Sequence, residues 1–186
     1  MSNNQAHPEK YHAIEAIIRM SQVKRWHMVD TTRQQTLAEH TCNVAMLAMA
    51  IASTAPGMYF GSGAHVAAIS LVHDVGEVFT GDVPTPTKRA NPDVQNFLDE
   101  LEFAHTPREF QYVATPSINW LVKMCDLADG IRFIRRYGHN DVIAKHAQIG
   151  LEAQIECLYK SPDSNIPEEV RKHVQHQLRH YIYEMV

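Results

Sequence analysis

Apolar residues recur at helical spacing along most of the chain, and no segment is typical of a strand. Ile14, Ile17 and Ile18 predict an amphipathic first helix from about residue 8 to residue 20. A last helix is predicted to start at Pro167, because apolar residues again follow three- and four-residue steps after it. The pattern therefore predicts an all-α fold, a single helical bundle.

The second predicted helix has both a start signal and a stop signal. Thr36 and Glu39 fit a capping box, in which the Thr36 side chain accepts the Glu39 backbone N–H and the Glu39 side chain reaches back. A Pro-Gly pair at 56–57 ends the helix. His40 lies on one stripe with Val44, Leu47 and Ile51. We therefore expect His40 to point toward the core, where a lone histidine is more often a core residue than a ligand.

The third predicted helix, from about Ala64 to Val75, is apolar on nearly every face and contains an adjacent His73-Asp74 pair near its end. We expect this helix to be buried, with Gly76 as its end. Burying an imidazole and a carboxylate costs free energy unless something compensates them, and a divalent metal compensates both. The pair is therefore a candidate for part of a metal site.

His40 and Asp126 are the residues that could complete the metal site. Asp126 adjoins core-like residues on a long helix predicted over Pro116–Tyr137. A salt bridge from Asp126 to Arg132 or Arg136 is the alternative interpretation. A helical bundle can bring side chains from different helices together at its centre, which favours one shared site.

The donor set of His40, His73, Asp74 and Asp126 contains imidazole and carboxylate but no thiolate, which suits Mn, Co, Fe, Zn or Mg without fixing the metal. Four protein ligands leave open positions on a six-coordinate ion for a water and a phosphate oxygen, which indicates hydrolysis. Glu77 lies one helical turn after His73 and could orient that water or move its proton.

Two segments beside these residues lack a helical period. Residues 23–35, which include Arg25 and Trp26, predict an ordered loop and a candidate ligand surface. The alternative is that Trp26 fills the core and Arg25 is solvated. The proline-rich segment 78–88 predicts a wall of the pocket, although Asp82 alone would be a turn residue and Lys88 alone a solvated charge.

Length, composition and charge are those of an ordinary globular protein. The 186 residues are 45% hydrophobic and 20% charged, with a net charge of −4 that disfavours nonspecific binding of nucleic acid. We expect one domain over 1–186, with a core of about 9–160 and a C-terminal helix of about 167–185. The start is polar, and no run approaches the ~18 apolar residues of a membrane helix, so we expect a soluble cytoplasmic protein without a membrane partner.

The order of these candidate residues resembles that of the HD-domain phosphohydrolases, whose name comes from a His, His-Asp, Asp pattern. The likeness runs from about Ile14 to about Tyr159 and is greatest to the bacterial YfbR 5′-deoxynucleotidases and the phage DatZ dATP triphosphohydrolases. The segments that carry it are Arg25-Trp26, Glu39-His40, His73-Asp74 with Glu77, residues 81–88, and Leu121-Val122-Lys123 leading to Asp126.

The resemblance implies roles for individual residues. Metal ligation falls on His40, His73, Asp74 and Asp126, and water activation or leaving-group protonation falls on Glu77. Asp82 would contact the sugar 3′-hydroxyl or a second ion, and Arg25 and Lys88 would bind phosphate. Trp26 would pack on the deoxyribose or base. The substrate implied is a 2′-deoxynucleotide cleaved at its 5′ phosphate ester with the help of a divalent metal (Zn, Co, Mn or Mg).

The number of phosphates on the substrate stays open at this point. The segment Thr32 to Thr36, with Arg33, Gln34 and Gln35, looks more like the phage triphosphohydrolases than the bacterial monophosphatases. We therefore favour a dNTP (dATP) triphosphohydrolase, with a dNMP 5′-deoxynucleotidase as the alternative. A nucleotide-sensing module with a structural metal and a di-iron oxygenase, for which His65 is the available extra histidine, are further alternatives.

The resemblance also bears on assembly and location. It implies a homo-oligomer, at least a dimer, and the amphipathic C-terminal segment Glu168–Met185 is a possible contact surface. A phage-encoded protein of this kind would act in the cytoplasm of its host.

Overall fold

The structure is a computed structural model that describes residues 13–84, 87–88, 91–139, 141–162 and 165–184. These ranges contain eight α-helices: α1 Ala13–Met20, α2 Leu37–Thr54, α3 Gly63–Val72, α4 Glu77–Thr80, α5 Pro92–His105, α6 Pro116–Tyr137, α7 Val142–Lys160 and α8 Glu168–Arg179. Short 3₁₀ turns span Pro56–Met58 and Arg108–Phe110, and a π-helical turn spans His180–Glu184. The same ranges hold two isolated β-bridges and no strand, so the predicted all-α fold is confirmed. The single-domain organisation stays a prediction.

The main core joins the helices that surround His40. Helix α2 packs most extensively against α3, and α6 packs against both α2 and α7. Four helices contribute most of the core's buried apolar residues, among them Val44, Ala48 and Ile51 of α2, Val66 and Ile69 of α3, Leu121, Met124 and Ala128 of α6, and Val170, Val174 and Leu178 of α8. His40 is fully buried on the same stripe of α2, as the sequence predicts. Its position at the end of this core is what gives it access to side chains of other helices.

The predicted capping box at the start of α2 forms only in part. The Thr36 side chain accepts the Glu39 backbone N–H at 3.1 Å, as expected. The Glu39 carboxylate does not follow the prediction, because it accepts two hydrogen bonds from the Arg33 guanidinium. A forked guanidinium offers a carboxylate two charge-assisted hydrogen bonds, which is a stronger arrangement than one bond to a backbone amide.

Helix α3 is less buried than its sequence predicts. Its buried residues are Val66, Ile69 and Ser70, while Leu71 is 44% exposed. The helix also ends earlier, at Val72, and His73 to Gly76 form turns before α4 begins. Gly76 was predicted to end this helix, but it has right-handed helical dihedrals and directly precedes α4. Its small size has another reason, because a Cβ there would lie 2.7 Å from Cβ of Glu102 on α5.

The apolar faces of the first and last helices differ in burial from the expectations from sequence. Ile14, Ile17 and Ile18 of α1 are each more than half exposed, and α1 packs through Ala16 and Met20 instead. Helical spacing identifies a common face but not the surface that covers it. The apolar face of α8, in contrast, is buried in the main core of its own chain. Its buried residues are therefore not the contact surface that we had considered for a second copy.

The loop between α1 and α2 is fixed by backbone hydrogen bonds, in agreement with the predicted ordered loop. The Arg25 N–H donates to the Gln35 carbonyl at 2.9 Å, and the Leu37 N–H donates to the Val23 carbonyl at 3.0 Å. The Thr32 N–H donates to the carbonyl of Tyr137 at the end of α6. These bonds place the loop beside the start of α2. Across the described part of the chain, no helix is both long and apolar enough to span a membrane.

Candidate active site

The four predicted metal ligands come together at one place in the bundle. His40 comes from α2, His73 and Asp74 come from the turn after α3, and Asp126 comes from the middle of α6. One nitrogen or oxygen atom from each residue lies within 4.8 Å of the corresponding atoms of the others. Among the described residues this is the one group of three or more His, Cys, Asp or Glu side chains with that property. Their individual roles as ligands stay a prediction.

The two histidines present their Nε2 atoms to the same carboxylates. His73 Nδ1 donates to the Ser70 carbonyl at 2.7 Å, and its Nε2 lies 3.2 Å from Asp74 Oδ2. His40 Nδ1 is hydrogen-bonded at 2.7 Å to Asp129, and its Nε2 lies 3.1 Å from Asp126 Oδ1. Both Nε2 atoms are buried and lack a hydrogen bond. Two buried imidazole nitrogens and two carboxylate oxygens that face one another are a donor set that a divalent metal would satisfy at once, so the residues present fit such an ion.

Electrostatic interactions between these groups shift their protonation strongly. Burial opposes the protonation of His73, but the adjacent Asp74 carboxylate outweighs it and raises the pKa of His73 to about 9. Burial also opposes the ionisation of Asp74, but His73 outweighs it and holds the pKa of Asp74 below its usual range. For Asp126, Lys123 and His40 outweigh burial and hold the pKa well below its usual range. The two carboxylates are therefore in the charged form that a metal requires.

Arg25 is the cation that neutralises the carboxylates at the open side of the group. Its Nη1 lies 3.2 Å from Asp74 Oδ2, 3.6 Å from Glu77 Oε2 and 3.7 Å from Asp82 Oδ1. Burial opposes the charge of Arg25, but Asp74 and its neighbours outweigh burial and raise the pKa of the guanidinium. Arg25 is thus not the solvated residue of the alternative interpretation. It is a charged group aimed at the same place as the predicted ligands.

Glu77 is the first residue of the short helix α4, and its side chain is almost fully buried. Burial raises the pKa of this carboxyl group well above its usual value, and the nearby Asp74 carboxylate raises it further. Lys88 Nζ lies 3.5 Å from Glu77 Oε1, so Lys88 is not a solvated charge either. A buried carboxyl group with a raised pKa at this place can donate or relay a proton.

Asp82 follows a turn that only glycine adopts easily. Gly81 has φ of 77° and ends α4 by donating its N–H to the Glu77 carbonyl. This reversal brings the Asp82 carboxylate within reach of Arg25. The role of Asp82 toward a sugar or second ion stays a prediction. The next residues of the predicted pocket wall, Thr85 and Pro86, lie outside the described residues, as do Arg89 and Asn140.

Trp26 points away from the metal group although it follows Arg25 directly. Its φ of 65° is in the left-handed region, which is uncommon for a bulky residue and costs on the order of 1 kcal/mol. The indole ring stacks on Phe133 with an interplanar angle of 8°, and its Nε1 donates to Gln35 Oε1. Because of this backbone conformation, the Arg25 side chain faces the site carboxylates while the Trp26 side chain packs on Phe133. The structure supports core packing for Trp26, and its predicted contact with a sugar or base stays a prediction.

Arg33 and Gln35 lie behind His40 rather than on the side of the predicted ligands. The Arg33 guanidinium pairs with Glu39 and lies 4.1 Å from the Tyr137 ring centroid. Gln35 is buried and donates to Asp129 Oδ2. Both residues border a cavity of about 170 Å³ on this side. The side chains of Arg33 and Gln35 therefore have partners within the protein. Their presence in the sequence does not by itself indicate a triphosphate site.

Three residues of this region were not identified as functional candidates from the sequence. Glu102 of α5 accepts a hydrogen bond from Thr80 and lies 3.5 Å from Lys88. Lys123 pairs with Asp126 at 2.6 Å, in place of the Arg132 or Arg136 salt bridge that we had considered. Asp129 bonds His40. Lys123 and Asp129 lie three residues before and three residues after Asp126 on α6, so their helical spacing could have identified them. No pattern in the sequence identified Glu102.

Comparisons with known proteins identify the family. The 5′-deoxynucleotidase YfbR-like family matches residues 12–114, more than half of the chain. A dATP triphosphohydrolase of Salmonella phage PMBT28 is 35% identical over 128 residues, which cover 66% of each chain. A 5′-deoxynucleotidase of Vibrio atlanticus (strain LGP32) is 32% identical over 99 residues, which cover 52% of this chain and 51% of the relative.

A solved structure has the same fold over nearly the whole chain. It is the cyanophage S-2L HD phosphohydrolase DatZ bound to dA and one catalytic Zn²⁺ ion. Its TM-score is 0.80 and its sequence identity 27%, and the superposition covers 95% of this chain and all of DatZ. The resemblance to HD phosphohydrolases that the sequence indicated is thus confirmed. The chain belongs to the 5′-deoxynucleotidase YfbR-like family, within the HD phosphohydrolases.

Proposed function

We propose that the protein is a metal-dependent phosphohydrolase that cleaves 2′-deoxynucleotides at the 5′ phosphate ester. The observation that carries the proposal is the convergence of His40, His73, Asp74 and Asp126 within 4.8 Å, beside a buried Glu77. A structural metal site has no need of a proton donor at its edge. A hydrolase needs one, because the leaving 5′ oxygen must be protonated.

Each residue has a defined task in this proposal. His40, His73, Asp74 and Asp126 hold the divalent ion, which supplies a Lewis acid and an acidified water when bound. Glu77, a buried carboxyl group at the edge of the metal site, passes a proton to the leaving oxygen. Asp82 accepts a hydrogen bond from the sugar 3′-hydroxyl. Zinc is the first metal to test, because DatZ binds catalytic Zn²⁺.

Arg25 and Lys88 are the proposed phosphate-binding residues. In the described structure Arg25 lies beside Asp74, Glu77 and Asp82, and Lys88 lies between Glu77 and Glu102. A phosphate oxygen that enters this site would find two cations already positioned. Charge-assisted hydrogen bonds of this kind are about twice as strong as neutral ones.

We favour triphosphate release from dATP over phosphate release from a dNMP. The support is the 35% identity to a phage dATP triphosphohydrolase and the fold match to DatZ over 95% of the chain. The family description and the Vibrio relative support the alternative, a 5′-deoxynucleotidase. Arg33 and Gln35 no longer contribute to this choice, because their side chains bond Glu39, Trp26 and Asp129.

A product assay separates these activities. The purified protein is loaded with Zn²⁺, Co²⁺, Mn²⁺ or Mg²⁺ and offered each dNMP and dNTP and the matching ribonucleotides, and the products are separated by chromatography. Glu77→Gln and a chelator-treated sample are the controls. We expect deoxyadenosine and intact tripolyphosphate from dATP.

Each other outcome has a defined meaning. Deoxynucleoside and orthophosphate from dNMPs alone would establish the 5′-deoxynucleotidase instead. Nucleotide binding without any product would contradict the enzyme and favour a sensing module. Equal turnover of ribonucleotides would contradict the proposed preference for deoxyribose.

Two further parts of the proposal concern assembly and location. We propose a homo-oligomer in which exposed apolar residues such as Ile17 and Ile18 of α1 contact a second copy; both are more than half exposed. Sedimentation at micromolar concentration tests this, and a monomer alone would contradict it. We place the activity in the cytoplasm, where deoxynucleotides are found, which for a phage-encoded protein is the cytoplasm of its host.

A further inference from the structure

The Asp129 carboxylate is the most heavily hydrogen-bonded acid in the described part of the chain. It is 2% exposed and lies on α6, one helical turn after Asp126. Its four donors are Gln35 Nε2 at 2.7 Å, His40 Nδ1 at 2.7 Å, Asn43 Nδ2 at 3.1 Å and the Tyr181 hydroxyl at 2.8 Å. Each carboxylate oxygen accepts two of these hydrogen bonds. No acceptor position is left for a proton on Asp129.

This arrangement fixes which nitrogen of His40 carries hydrogen. A carboxylate can only accept, so His40 Nδ1 must donate to Asp129 Oδ2. The neutral imidazole then has a lone pair at Nε2. That atom is buried without a hydrogen bond and faces Asp126 Oδ1 at 3.1 Å and Asp74 Oδ2 at 3.7 Å. The proton is held on the side away from the other predicted ligands.

We propose that Asp129 is a positioning residue that fixes the tautomer and ring orientation of His40, so that Nε2 is always available to the metal. The inference rests on the proposed function, because it assigns a role toward the same metal. Asp129 touches neither the substrate nor the reacting atoms in this account. It acts through His40, in the manner of the carboxylates that orient zinc-binding histidines.

Asp129 does more than fill space, because its donors come from three separate parts of the chain. Gln35 lies in the loop before α2, Asn43 lies one turn after His40 on α2, and Tyr181 lies in the π-helical turn after α8. Through Asp129, His40 is therefore linked by hydrogen bonds to the loop, to its own helix and to the C-terminal turn.

The test is the pair of variants Asp129→Asn and Tyr181→Phe, measured for metal affinity without substrate. In Asp129→Asn the negative charge is lost and one acceptor oxygen becomes an NH₂ donor among the four donors of the cluster, so the hold on the Nδ1–H form of His40 is weakened. We expect the Kd for Zn²⁺, from competition with a chromophoric chelator, to rise about 10- to 100-fold. The visible absorption spectrum of the Co²⁺-loaded variant should also change, because the orientation of one ligand changes.

Tyr181→Phe is the matched control. It removes a hydrogen bond to Asp129 Oδ1 while the bond from His40 to Oδ2 stays. A purely structural role of this cluster predicts similar metal Kd values for both variants. Positioning predicts that Tyr181→Phe lowers thermal stability but changes the metal Kd by less than about threefold.

The inference is overturned if folded Asp129→Asn binds Zn²⁺ within about twofold of the wild type. Should that variant not fold, the wild type still decides the question through ¹⁵N spectra of its histidines in the zinc-loaded state. His40 should be protonated at Nδ1 and coordinated through Nε2. Hydrogen at Nε2, or coordination through Nδ1, would overturn the inference.

The two proposals fail separately. Turnover of deoxynucleotides together with an unchanged metal Kd in Asp129→Asn leaves the function standing and removes the positioning role. Weakened metal binding in Asp129→Asn without turnover of any nucleotide by the wild type supports the positioning role and contradicts the proposed function.

Discussion

The two histidines of the candidate metal site are held by different kinds of acceptor. His40 Nδ1 donates to the side chain of Asp129, which is 89 residues away in the sequence. His73 Nδ1 donates to the backbone carbonyl of Ser70, three residues before it. Both arrangements direct Nε2 at carboxylate oxygens. The same orientation of the ring is therefore reached once by tertiary structure and once by a local turn.

This difference determines how each histidine can be disturbed. The acceptor of His73 is part of the backbone, so no side-chain substitution removes it while the turn persists. The acceptor of His40 is a single carboxylate, and its removal would leave buried donors unsatisfied at a cost of roughly 1–3 kcal/mol each. The site thus combines one ligand that is locally fixed with one that depends on the packing of α2, α6 and the C-terminal turn.

The largest expected effect follows from removing either histidine itself. His40→Ala and His73→Ala should both lose the metal and lower turnover by at least about 10³-fold, because a Lewis acid contributes several kcal/mol of transition-state stabilisation. Bound metal is measured by elemental analysis, and helical content by circular dichroism. His65→Ala, on the exposed side of α3, is the matched control and should keep both metal and turnover.

A clear difference in bound metal between His40→Ala and His73→Ala would contradict the interpretation that both histidines are ligands. If His40→Ala kept stoichiometric metal while His73→Ala lost it, His40 would be a core residue and not a ligand. Its hydrogen bond to Asp129 would then have only a structural role.

Glu77→Gln should give the next largest effect. The amide cannot transfer a proton as the carboxyl group does in the proposed function, so turnover should fall about 10²- to 10⁴-fold. Metal content and nucleotide affinity should remain within about twofold of the wild type, because Glu77 is outside the four-residue group. Loss of the metal in this variant would show that Glu77 is a ligand and not a proton donor.

The sequence predicted the local features of the site better than its tertiary contacts. The pattern of His40, His73, Asp74 and Asp126 was evident from residue types and helical placement, and the structure brings these residues together. The all-α fold and the start of α2 at Thr36 followed from spacing and capping rules. The helix assignments and the capping signal depend on neighbours within a few residues.

The failures concern contacts between distant segments. Glu39 was assigned to a capping box, but a guanidinium six residues earlier takes its carboxylate. Gly76 was predicted to end a helix, but its real constraint is the close approach of Glu102 on α5. Asp129 received no role, because its four hydrogen-bond donors are all distant from it in the sequence. Helical periodicity specifies the face on which a side chain lies and not its partner.

Arg33→Gln should have a smaller effect, since it acts behind His40. The variant loses the ion pair with Glu39, which is about one-third exposed and contributes about 1 kcal/mol or less to the free energy of unfolding. KM for dNTPs should stay within about twofold of the wild type, as measured in the product assay. Arg25→Gln is the contrasting variant, because Arg25 lies among the site carboxylates and its loss should raise KM. A tenfold increase in KM for dNTPs but not dNMPs in Arg33→Gln would restore the triphosphate role that the sequence suggested.

Ser70→Ala should have the smallest effect and makes the comparison sharpest. The substitution removes the Ser70 hydroxyl, which donates to the Val66 carbonyl at 2.9 Å, but it keeps the backbone carbonyl that accepts from His73. We expect a loss of about 1 kcal/mol in the free energy of unfolding and a metal Kd within about twofold of the wild type. Asp129→Asn, in contrast, alters the side-chain acceptor of the other histidine, and we expect at least a tenfold change in Kd there. Equal metal affinities in Ser70→Ala and Asp129→Asn would show that the two supports do not differ. Unequal affinities would show that the site depends on a distant side chain at His40 and only on its own turn at His73.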